Sequence, residues 1–153
     1  MKNSRDSEKS GDSFRFTPHQ SNFVEIEERV RYSEIDQMGI AHNVSYFEWF
    51  EIGRTEYCRQ IDLPYKKIEE QGYYFVVAEA FCRYKKPLRY DQVFIIRTTV
   101  DELSPKKAVF YYQLVNKEDK NLIAEGYTVH LVTNSQGEIT PLPEELFKKF
   151  KKD

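Results

Sequence analysis

A chain of 153 residues, 40% apolar and 31% charged, is one globular domain's worth, long enough to bury a core without disulfide or metal staples. Its net charge of −2 and pI near 6.0 exclude a global positive field for wrapping nucleic acid. No apolar run approaches the roughly 20 residues that span a bilayer, and the opening residues are polar with no apolar signal stretch. No nucleic-acid partner and no membrane span are therefore expected, and the chain is expected in the cytoplasm.

Residues 1–22 are rich in Ser, Asp, Lys and Arg without periodicity and read as a disordered tail, with Phe14 and Phe16 as its two candidates for docking on the domain. The domain is expected over 23–153. From Val24 to Tyr32, apolar and charged residues alternate, which predicts a half-buried strand. The connector Ser33–Asn43 follows, with Gly39 free to take a conformation that other residues avoid. Between Val44 and Ile61, Tyr46, Phe50, Gly53, Tyr57 and Ile61 recur at helical spacing, and Phe47 and Trp49 widen the apolar surface. This is a long helix wrapped on most sides, capped by Asn43 or Ser45 and stopped by Pro64. A short helix is expected over Pro64–Gln71.

Strand signals then dominate: Tyr73–Tyr84, Gln92–Asp101, Lys107–Asn116 and Leu122–Thr133, separated by turn residues and read as a four-strand meander. Pro143-Glu144-Glu145 opens a short last helix. Without strand–helix alternation a doubly wound parallel sheet is excluded, and an antiparallel sheet curled around one aromatic helix fits best. The partly two-faced apolar run Tyr73–Tyr84 suggests edge pairing or packing with a second subunit.

Asp36 precedes the start of the buried helix. The first amides of a helix lack internal partners and carry partial positive charge, so a carbonyl placed there is polarised. A carboxylate beside it attacks that carbonyl or deprotonates a water; the plain alternative is that Asp36 caps a turn. His42 either bonds substrate or supports the helix start. Lys85, Lys86 and Arg89 hold phosphates at strand ends or simply solvate turns. Cys58 and Cys82 sit in patterned segments and read as reduced core thiols. No metal-ligand spacing, phosphate-cradling loop or nucleophile elbow occurs, so no metal and no cofactor are expected.

The run from Arg31 to Phe50, with Glu51-Ile52-Gly53-Arg54-Thr55-Glu56 after it, resembles the hot-dog fold thioesterases, the 4-hydroxybenzoyl-CoA thioesterase and YbgC-like group. Phe81–Asp91 resembles that family's Tyr-x-x-Pro-x-x-Tyr-Asp segment. The resemblance implies an α+β hot-dog fold, a five-stranded antiparallel sheet wrapped around a long central helix. It also implies a homodimer or homotetramer with acyl-CoA as substrate. By position it makes Asp36 the catalytic carboxylate and the Asn43 backbone N–H the group that polarises the thioester carbonyl. Gly39, Tyr46, Lys85, Lys86 and Arg89 fall with the substrate. Many relatives read Tyr-His where this chain has His42-Asn43, so its histidine stands one position earlier, about 100° around a helix. The alternatives are a thioesterase acting on acyl carrier protein, which needs a basic mouth for an acidic partner, and a non-catalytic acyl-CoA-binding dimer.

Overall fold

The computed structural model describes residues 22–151; the expected tail, with Phe14 and Phe16, lies outside them apart from Asn22. In chain order the elements are β1 (Val24–Arg29), a 3-10 turn (Tyr32–Glu34), α1 (Asn43–Gln60), α2 (Tyr65–Glu70), β2 (Tyr74–Tyr84), β3 (Val93–Ser104), β4 (Lys107–Asn116), β5 (Leu122–Thr133) and α3 (Glu144–Phe150). The first strand is shorter than expected. Its alternation ends at Val30, and Tyr32 turns outward into the 3-10 turn.

The five strands form one antiparallel sheet in the order β1-β3-β4-β5-β2. The expected meander holds for β3, β4 and β5 only; β2 lies at the far edge, paired with β5. The reason is the connection after Tyr84. It is too long for a tight hairpin, and Pro87 lacks the N–H that a ladder needs. Instead it crosses beside the start of α1, where buried Leu88 accepts a bond from the Ala41 N–H at 2.8 Å. This crossover brings Lys85, Lys86 and Pro87 to the tip of the helix.

α1 lies on the sheet because its aromatic stripe has a matching floor. Phe50 stacks on Tyr112 of β4, with centroids 4.2 Å apart and planes 5° apart, and Trp49 meets Phe94 of β3 at 4.6 Å. Stacked and tilted pairs of this kind add to the burial of large apolar rings. Gly53 sets the depth of the contact, because a Cβ there would come within 2.8 Å of Ile96 Cγ2. β4, at the centre of the sheet, is buried along most of both faces. The outer strand β2 exposes Val76 (47%) and Val77 (48%).

Beneath α1 a polar cluster is sealed in. The Tyr112 and Thr128 hydroxyls are 2.6 Å apart, and His130 Nε2 lies 2.8 Å from Thr128 Oγ1, while its Nδ1 has no partner. Burial, helped by the Arg54 charge, pushes the His130 pKa down to about 3, against 6.5 ordinarily. In acid, unfolded chains therefore take up this proton first. The stability that His130 contributes is whole above pH ~6.5 and is lost as pH falls toward ~3, at up to about 1.4 kcal/mol per pH unit. Denaturant titrations across that window, at fixed protein concentration, should show a steeper acid loss for the native chain than for His130→Leu. Equal slopes would contradict the assignment.

Candidate active site

The connector between β1 and α1 is a small closed loop. Ile35 and Ala41 pair across it, and the Asp36 N–H donates to Ile40 O at 2.8 Å. Gly39, at φ +79°, makes the reversal possible, and its N–H donates to Asp36 O at 2.9 Å. At the head of the loop, Asp36 Oδ1 accepts from the Met38 N–H at 2.8 Å and the Ile40 N–H at 3.3 Å. The turn-capping alternative is thus real, but it occupies one carboxylate oxygen. Among the described residues, Oδ2 receives no hydrogen bond.

Asp36 also lines a cavity of about 470 Å³ with Ala41, His42, Asn43, Tyr46 and Tyr84, and with Lys85 and Lys86 at its rim. The tip of α1 reaches this cavity uncapped. His42 occupies the cap position with extended backbone (φ −62°, ψ 146°), and its side chain makes no capping bond. Neither expected cap serves. Asn43 is already the first helical residue, and Ser45, inside the first turn, gives its hydroxyl to Glu34 O at 3.4 Å. The Asn43 amide finds no acceptor among the described residues, which leaves a positively polarised donor facing a hollow that also holds a carboxylate.

Tyr46 and Tyr84 form the aromatic wall, edge to face at 4.8 Å, and Tyr84 Oη donates to Asn43 O at 3.4 Å. Burial, followed by the nearby Cys82, pushes both phenols up to about 12, so neither serves as a base near neutral pH. Both thiols are free, and burial pushes each up to about 12 as well, which makes them poor nucleophiles. Among the described residues no group of three or more His, Cys, Asp or Glu side chains could hold a metal ion.

Of the sequence-predicted residues, Asp36, His42, Asn43, Tyr46, Lys85 and Lys86 come together at this cavity. Gly39 shapes the loop without lining the hollow. Arg89 lies just beyond it, its backbone bridged to Ile40 and its N–H bonded to the Gln92 side chain at 2.7 Å. Sequence reasoning missed Tyr84 as a wall residue; its place beside Lys85 in the crossover was the available signal. A larger hollow of about 520 Å³ opens between Arg29, Tyr90 and Asn116. Its cations are paired, Arg29 with Asp91 at 3.3 Å and Lys117 with Glu27 at 2.8 Å, and the tip of α1 does not line it.

A five-stranded antiparallel sheet with one long helix packed against it is the architecture of hot-dog thioesterases. The sequence model of the thioesterase-like superfamily matches residues 30–150, and the chain belongs to that family. A relative from Aquifex aeolicus, whose name is that of an esterase, is 38% identical over 80% of this chain and 94% of its own length. The Haemophilus influenzae acyl-CoA thioesterase YbgC is 27% identical over 80% of this chain and 90% of its own. Among solved structures, DHNA-CoA thioesterase from Staphylococcus aureus superposes with a TM-score of 0.78 at 26% identity, covering 84% of this chain and 86% of that one. The chain is a thioester hydrolase.

Proposed function

We propose that this protein hydrolyses acyl-CoA thioesters to a free acid and CoA at the cavity between Asp36 and the tip of α1. One observation carries the reading: the half-engaged Asp36 carboxylate and the unpartnered Asn43 amide line the same hollow. The thioester oxygen lies against the Asn43 N–H, which withdraws electron density and stabilises the negative charge that develops there. Asp36 then attacks the carbonyl carbon through Oδ2. The tetrahedral adduct expels CoA as thiolate, and water cleaves the resulting anhydride. In the other route Asp36 takes a proton from a water that attacks directly, and the thiolate leaves from that adduct. Both routes need the carboxylate in its ionised form.

Lys85 and Lys86 at the rim suit the phosphates of CoA. The exposed outer edge of β2 supports a homodimer, the unit from which a tetramer is built. Val76 and Val77 stand on a strand with no neighbour on that side among the described residues, and such an edge invites pairing with a second copy. The test is thiol release, followed with a thiol-trapping dye on a panel of acyl-CoA esters. Turnover of at least one ester is expected. Tight binding of the esters with no thiol released would make the protein a carrier and overturn the reading.

A further inference from the structure

Glu34 is a buried acid that the hydrolytic scheme does not use. Only 5% exposed, it stands two residues before Asp36. Its carboxylate meets three donors: the Arg31 backbone N–H at 2.7 Å, Arg31 Nη2 at 3.2 Å, and the indole Nε1–H of Trp49 at 3.1 Å. Its own carbonyl accepts the His42 N–H at 2.8 Å and the Ser45 hydroxyl at 3.4 Å. One residue thus joins the entrance of the Asp36 loop, its exit and the second turn of α1.

Burying a charge opposes folding unless its oxygens are well bonded, and an apolar residue fills such space at lower cost. What the carboxylate adds is a fixed geometry. Asp36 is held to its own loop by Met38 and Ile40, but those bonds do not fix the loop relative to the helix. The Trp49 bond to the Glu34 carboxylate does, beside the His42 and Ser45 bonds to the Glu34 backbone carbonyl.

We propose that Glu34 is a positioning residue. Its carboxylate, steadied by Arg31, holds the Asp36 loop onto α1 through Trp49, so that the Asp36 carboxylate and the Asn43 amide address one bound carbonyl. The catalytic half of this inference rests on the function proposed above, and the structural half does not.

The test uses Glu34→Gln, which keeps the shape but loses the charge and one acceptor oxygen, and Trp49→Phe, which removes the indole donor. Trp49 is the only tryptophan, so its emission reports directly on the bond. In both variants amide hydrogen exchange at Met38, Ile40 and His42 should quicken about 10-fold or more, while amides of the β3–β4 ladder keep native rates. With an acyl-CoA ester, kcat should fall about 10-fold or more and KM stay within about two-fold, because misplaced groups lose rate rather than binding. Glu34→Asp, with the charge kept on a shorter arm, should recover part of kcat, and it stands in if the glutamine variant fails to fold. Native exchange at the three amides, or native kcat with altered Trp49 emission, would overturn the proposal. If the native protein releases no thiol, the functional reading fails and the exchange measurement still decides whether Glu34 locks the loop.

Discussion

Asp36→Asn should keep the fold and lose at least about 10²-fold in kcat, the scale of removing a general base or nucleophile. The substitution separates chemistry from structure unusually well. The asparagine oxygen still accepts from the Met38 and Ile40 N–H groups that now hold Oδ1, so the loop keeps its turn. Only the free oxygen is changed, to an NH2 that neither attacks a thioester nor takes a proton from water. Native circular dichroism and Tm with lost thiol release are the expected pair of results. Near-native turnover would remove Asp36 from the mechanism.

Gly126→Ala should be the most damaging small substitution in the sheet, lowering stability by about 3 kcal/mol. Gly126 lies in β5 between Tyr112 of β4 and Cys82 of β2. A Cβ there would run into the Phe81 carbonyl oxygen and come within 2.8 Å of Phe50 Cε2. Neither neighbour yields easily. Phe81 O belongs to the backbone of β2, and the Phe50 ring is pinned in its stack on Tyr112. Relief requires opening the β2–β5 ladder or lifting α1. Thermal unfolding should show a Tm drop of roughly 10 °C, and an unchanged Tm would mean that the sheet has slack which this packing denies.

The lengths of α1, β4 and β5 were legible because they follow from local periodicity, whereas β1 ends three residues early at Arg29 and β3 runs on past Asp101 to Ser104. The helix from Asn43 to Gln60 differs by one residue at each end from the Val44–Ile61 expectation, and β4 and β5 match their expected bounds. The position of β2 was not legible, since alternation tells which face of a strand is buried and says nothing about its partner. Asp36 stood out because a carboxylate before an aromatic helix is chemically unusual, and the family resemblance pointed to the same residue. Trp49 read as one more apolar residue of the stripe. Its indole N–H on Glu34 joins residues fifteen positions apart on different elements, a pairing that no spacing rule encodes. The helix caps went astray for a related reason. Asn43 and Ser45 are good capping types, but tertiary contacts turned Ser45 toward Glu34 and left the tip of α1 open to the cavity.

The most direct measurement is a crystal structure of Asp36→Asn soaked with an intact acyl-CoA ester that the variant turns over too slowly to consume. The thioester carbon should lie within about 4 Å of the residue 36 side chain, with its oxygen about 3 Å from the Asn43 N–H. A thioester seated instead between Arg29 and Asn116, or held against the Tyr46–Tyr84 wall with its carbonyl turned away from the helix tip, would contradict the account.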